Sequence, residues 1–157
     1  MPNQQRMTQK TLETIQNTLD LARENNHGEI EPIHFLAEAT KEGILPAVLS
    51  VLNIDLHDFQ ATVERELNNR PRLSTRPQDV RMSREMARIL DRAEEYMKQF
   101  NDEFISVEHI LLGIRTLDKG AAKRVFDTYG MSEDKILAAL QKIRGSHRVT
   151  DENPESQ

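Results

Sequence analysis

Asp102-Glu103-Phe104-Ile105-Ser106-Val107-Glu108-His109-Ile110-Leu111-Leu112 is the stretch whose reading decides the fold. Asn101-Asp102 breaks a preceding helical pattern, Ser106 is a good helix cap, and Ile110, Leu111 and Ile114 follow at helical spacing. Ile30-Glu31-Pro32-Ile33-His34-Phe35-Leu36 stands 75 positions earlier in the same order, so that Ile30 matches Ile105, His34 matches His109 and Leu36 matches Leu111. Pro32 there takes the first helical position, where its missing N–H costs little.

Outward from this pair the repetition continues. Thr8 and Ser83 are capping candidates 75 apart, and Ile15 and Leu90 keep the same offset. Further on the offset becomes 77, matching Val48 to Val125, Ile54 to Met131 and Ala61 to Ala138. A two-residue difference in the loop before the third helix of each half accounts for the change. The spacing predicts a first helix over 8–26 with Leu12, Ile15, Leu19 and Ala22 facing inward. A second starts at Pro32 with Ile33, Leu36, Ala37 and Thr40 on one side; a third covers 44–52; a fourth runs from Asp55 with Phe59, Val63 and Leu67. The other half repeats the scheme. Ser83 opens a helix striped by Met86, Leu90, Ala93 and Met97, Ser106 caps the next, and a short one covers 121–129. Ser132 opens the last, with Glu133 and Asp134 set favourably against its dipole and Ile136, Leu140 and Ile143 facing inward. Residues 70–82 hold Pro71 and Pro77 without periodicity and read as a linker. The expected fold is all-α: a domain over 1–145 made of two pseudo-repeated four-helix units, about 8–69 and 83–145, joined through 70–82.

Composition narrows the chemistry. The absence of cysteine removes disulfides, thiolate nucleophiles and thiolate metal sites, and fits a reducing, cytoplasmic setting. The net charge of −5 argues against nucleic acid, whose binding needs Lys and Arg to neutralise phosphates. The second-half helix from Ser106 is apolar and mildly acidic, unlike a DNA-reading helix. Apolar runs are far shorter than the ~20 residues of a membrane span, so no membrane association is expected. No phosphate-cradling Gly-rich loop, Gly-x-Ser-x-Gly elbow or His-Glu-x-x-His pair occurs. No catalytic residue, no metal and no cofactor are therefore expected in this chain. His27, His34, His57, His109 and His147 show no recurrent ligand spacing, and His34 and His109 read as packed rings bonded to nearby backbone. Glu94-Glu95 reads as a solvated face, whereas Asp102-Glu103, in a helix break, suits capping or partner binding.

Taken together, these residues resemble the N-terminal, two-repeat domain of Clp chaperones, over essentially the whole chain. Glu31-Pro32-Ile33-His34-Phe35-Leu36 is similar to the first-repeat signature, and the 102–112 stretch to the second. Residues 144–155 are similar to the segment by which ClpB-type chains leave this domain toward their first ATPase module. The resemblance implies a substrate-binding module on a hexameric AAA+ disaggregase. Such a module engages exposed apolar segments of unfolded or aggregated proteins, and the ring works with the Hsp70 system. ATP and magnesium would belong only to the ATPase modules beyond 146–157, and the domain by itself would be a monomer. The family's functional threonine and acidic residues match Thr8, Asp102 and Glu108. A groove for apolar peptide would need exposed side chains such as Leu90, Tyr96 or Met97, whose helical spacing suits a core better than a groove. A ClpC-like domain that binds adaptors or phosphoarginine needs an acidic residue in each repeat. Glu108 supplies one, but the matching first-repeat position is Ile33. A freestanding helical adaptor scaffold is a further alternative.

Overall fold

The computed structural model describes residues 6–145, so 146–157 lie outside the described residues. Eight helices follow one another: α1 (Gln9–Glu24), α2 (Pro32–Ala39), α3 (Ile44–Val51), α4 (Leu56–Asn68), α5 (Arg84–Gln99), α6 (Val107–Leu117), α7 (Ala121–Thr128) and α8 (Glu133–Arg144). The repeat predicted from sequence is present in the backbone. Caps fall at Thr8 and Ser83, Glu31 and Ser106, Gly43 and Gly120, and Asp55 and Ser132. Left-handed residues close the equivalent turns at Asn26 and Asn101, and at Asn53 and Gly130.

Two short strands were not anticipated. β1 (Glu29–Ile30) pairs in parallel with β2 (Arg81–Met82), so the end of the expected linker is a strand. Met7 forms the equivalent bridge to Ile105. The pairing is reciprocal across the repeats. The Ser83 amide donates to the Ile30 carbonyl and the Thr8 amide to the Ile105 carbonyl, both at 3.0 Å. Each half is thus opened by a segment that hydrogen-bonds to the other half, which fixes the two units as one core.

That core centres on α2 and α6, whose side chains are buried almost all the way round. Other helices surround them: α1, α3, α4, α6 and α7 touch α2, and α5, α7 and α8 touch α6. The first stripe needs correcting. In α1 the buried face is Thr11, Thr14, Thr18 and Ala22, while Leu12 is 37% exposed and Ile15 and Leu19 are only half-buried. Threonine can be buried here because Thr14 and Thr18 each donate a hydroxyl to a carbonyl one turn back, at 2.7 Å. Ile143, expected inward, is likewise 37% exposed in the last turn of α8.

The two halves differ in how tightly their first helices pack. A Cβ on Gly113 of α6 would sit 2.9 Å from the Ile89 carbonyl oxygen of α5 and 3.2 Å from its Cγ2. Glycine therefore lets α5 and α6 meet backbone to backbone, whereas the matching position of α2 is Glu38. Gly113→Ala is expected to lose about 2 kcal/mol. Forcing two packed helices apart costs up to about 3 kcal/mol, against about 1 regained in helix propensity. A urea unfolding midpoint would measure it.

Candidate functional site

The second-repeat motif folds into a buried polar cluster. Ser106 and His109 form a capping pair in which the Ser106 amide donates to His109 Nδ1 at 2.8 Å. That acceptor role puts the His109 proton on Nε2, which donates to Asp102 Oδ2 at 2.7 Å. Asp102 Oδ1 accepts from Arg144 Nη2 at 2.6 Å. Glu108 closes the cluster, accepting the Ser106 hydroxyl at 2.7 Å and facing Arg144 Nε at 3.4 Å. The Arg144 guanidinium, 14% exposed, lies over the Phe100 ring at 5.4 Å. Thr8 sits nearby along the chain pairing. Its hydroxyl accepts from the Thr11 amide at 3.1 Å, and the Thr11 hydroxyl donates to the Ile105 carbonyl at 3.1 Å.

The structure therefore brings Thr8, Asp102 and Glu108 to the two flanks of one turn, and buries all three. Asp102 and Glu108 face a cation of the chain itself, Arg144, a role that sequence order does not reveal. Leu90, Tyr96 and Met97 are buried in the core, so they are not the exposed wall of a groove. Helical spacing turned them inward, and the Tyr96 hydroxyl finds Glu133 at the start of α8.

Repeat 1 answers this cluster with neutral groups. His27 occupies the place of Asp102, Ile33 that of Glu108 and Leu67 that of Arg144. His34 Nδ1 accepts from the Glu31 amide at 2.9 Å, so its Nε2–H donates to His27 Nδ1, also at 2.9 Å. The last proton then sits on His27 Nε2, which is buried without a well-aligned acceptor. Glu31 is ion-paired to Arg70, and burial pushes its carboxyl up against that pull. No group of three or more His, Cys, Asp or Glu suited to a metal occurs among the described residues.

A groove of about 300 Å³ opens beside this neutral cluster. Leu21, Ala37, Val63 and Leu67 give it an apolar floor between α1, α2 and α4, with Gln60, Lys41 and Glu64 on its rim. In repeat 2 the matching positions carry the larger Tyr96 and Arg144, which meet Phe100 edge-on at 6.1 Å and over its face at 5.4 Å. The signal was legible as a size difference: Leu21 against Tyr96, and Leu67 against Arg144, in the aligned repeats. A second crevice, between α3, α6, α7 and α8, is lined by Leu45, Leu111, Phe126 and Ile136 with Glu108 beside them; it holds about 10 Å³, barely one water.

A family profile described as the Clp repeat (R) N-terminal domain matches residues 6–129. The chain belongs to this family. Relatives of the Clp domain include the chaperone protein ClpB of Clostridium tetani, 32% identical over 96% of this chain and 18% of that protein. Chaperone protein ClpB 1 of Thermosynechococcus vestitus is 35% identical over 98% of this chain and 17% of that protein. The chain thus spans under a fifth of the curated relatives it matches. Among solved structures, the Hsp104 N-terminal domain of Candida albicans is 26% identical, with a TM-score of 0.86, covering 95% of this chain and 98% of that one. The Clp domain is therefore a chaperone N-terminal domain with the double-repeat all-α fold, and it is not the ATPase module of such proteins. No helix among the described residues is long and apolar enough to cross a membrane.

Proposed function

We propose that this Clp domain is the non-catalytic substrate-engaging module of a ClpB-type disaggregase, and that it takes apolar segments of unfolded polypeptide into the repeat-1 groove. The observation that carries this is the repeat-1 groove itself, apolar-floored and about 300 Å³, with Leu21 and Leu67 where repeat 2 has the larger Tyr96 and Arg144. That size suits a few side chains, and a half-apolar lining with a mixed-charge rim suits weak, sequence-tolerant binding. The relatives' chaperone names support the same assignment. Thr8, Asp102 and Glu108 act within it by holding α1, the α5–α6 turn and the end of α8 in place, because all three are buried. Handing the segment to a hexameric ATP-driven ring, in partnership with an Hsp70 system in the cytoplasm, completes the proposal.

The test is an NMR titration with a permanently unfolded, Leu- and Val-rich polypeptide, run beside a phosphoarginine peptide. Shifts from the unfolded chain should cluster at Leu21, Ala37, Lys41, Val63 and Leu67, and Ala37→Glu should abolish them while leaving the remaining spectrum in place. Shifts only with phosphoarginine, near Glu108, would move the function to a ClpC-like one; silence with both would leave a scaffold for another partner.

A further inference from the structure

Residues 70–88 carry six arginines, no lysine and only two carboxylates, Asp79 and Glu85, in a chain whose net charge is −5. This stretch is a strap followed by the first turns of α5. The strap is pinned in several places. Leu73 and Asn26 bond to each other in both directions (2.8 and 3.1 Å), Arg23 donates to the Gln78 carbonyl at 3.3 Å, and the Arg81 amide donates to the Gly28 carbonyl at 3.0 Å. Leu73 and Arg81 thus hang from acceptors only two residues apart, so both ends of the strap lie side by side. Arg84 and Arg88 continue the line one helical turn along α5.

Arg72, Arg76, Arg81, Arg84 and Arg88 are all exposed, and none holds an ion pair among the described residues. Arg72 bonds only the Asn68 side chain, at 3.3 Å. Several arginines elsewhere are matched, Arg92 to Glu95, Arg115 to Asp127 and Arg124 to Glu66, though Arg6, Arg23 and Arg65 reach only carbonyl or hydroxyl oxygens. Within the strap region the nearby acids are few. Glu29 is in register with Arg81 on the neighbouring strand, Asp79 is on the strap itself, Asp91 lies one turn past Arg88 on α5, and Glu85 faces the separate cleft shared by Glu31 and Arg70. Leu73, 50% exposed, stands between Arg72 and Arg76 and is the most exposed large apolar residue described.

We propose that the strap and the start of α5 form a docking surface for an acidic, extended polypeptide segment carrying an apolar residue that covers Leu73. Guanidinium groups pair with carboxylates through two parallel hydrogen bonds, a geometry lysine does not offer. The pinned backbone presents the cations at fixed spacing, which lowers the ordering entropy lost on binding. Extended strand plus one helical turn gives a surface roughly 15–20 Å long, the length of five or six extended residues. Nucleic acid is the poorer occupant. Five arginines neutralise few phosphates, and the acidic remainder of the chain repels a polyanion. This surface is separate from the repeat-1 groove and stands or falls independently of it.

The experiment is fluorescence anisotropy with a labelled, Glu-rich peptide a dozen residues long containing one central Leu. Its comparators are the same peptide with Gln for Glu and a single-stranded oligonucleotide of matching length. The acidic peptide should bind, weaken by about tenfold or more as salt rises to physiological strength, and lose about tenfold with Arg76→Glu/Arg84→Glu/Arg88→Glu. Lys142→Glu, on another helix, should leave binding as it was, and the thermal midpoint of the triple variant should stay within a few degrees. Equal binding of the Gln peptide, or undiminished binding by the well-folded triple variant, would overturn the proposal. Tighter binding of the oligonucleotide than of the peptide would overturn the choice of an acidic polypeptide.

Discussion

Asp102→Ala should cost the domain about 3–4 kcal/mol, the largest loss expected from any single side-chain truncation outside the apolar core. Asp102 accepts from His109 Nε2–H and from the Arg144 guanidinium, and its own side chain has no exposure. Removing it strands a buried N–H on His109, which is also fully buried, and a nearly buried cation on Arg144. Arg144 limits the damage, because at 14% exposure it can swing into water from the end of α8. A domain of this size has about 5–15 kcal/mol of stability in all, so the variant should unfold at markedly lower urea with an unchanged slope. An unchanged midpoint would show that the cluster is not a structural keystone. Arg144→Met should also be strongly destabilising, because it leaves Asp102 and Glu108 as two buried carboxylates with no cation between them.

The second large effect is a pH dependence seated in the other repeat. Burial, then His27, then Arg70 hold His34 down to about 4 from an ordinary 6.5. His27 is lowered too, by burial and then by Arg70 and Arg72, with only the Arg70 main chain favouring its charged form. The hydrogen bonds give the same answer: both Nδ1 atoms are acceptors, so neither ring can take a second proton without breaking a bond. The unfolded chain binds the His34 proton near pH 6.5, and the folded chain refuses it until about pH 4. Stability from this group is therefore full above about 6.5 and falls as pH drops toward 4, by up to about 3 kcal/mol. His27→Asp, which copies the repeat-2 partner, should remove most of that loss, because a carboxylate beside His34 favours its charged form. Urea midpoints of both proteins between pH 7.5 and 4.5, about the two ends of the window, would measure the difference. Parallel curves would rule out the pair as the source.

The repeat itself explains why the two clusters behave so differently. Position for position, His27 and Asp102, Ile33 and Glu108, and Leu67 and Arg144 occupy one scaffold. One copy buries an ion pair that needs all its members, and the other buries a neutral pair that must stay neutral. Leu67 lines the repeat-1 groove, whereas Arg144 packs over Phe100.

Periodicity, caps and the 75- and 77-residue offsets are local properties of the chain, and from them alone the helices, their order and the duplication could be read. Ser, Thr and Asp caps and apolar spacing act over one or two turns, so sequence carries them without tertiary help. The family resemblance rests on the same local motifs. What faces what was decided only in three dimensions. Leu12 lies outward and Thr11, Thr14 and Thr18 inward because the Thr14 and Thr18 hydroxyls bond their own helix and the Thr11 hydroxyl donates to the Ile105 carbonyl of the other repeat. Residues 81–82 form a strand because the opposite repeat supplies its acceptors. Asp102 and Glu108 meet Arg144, some forty residues away, because α8 ends against the α5–α6 turn. Hydrogen bonds and charge pairs between distant segments depend on the packing of whole helices, and no window of sequence contains that information.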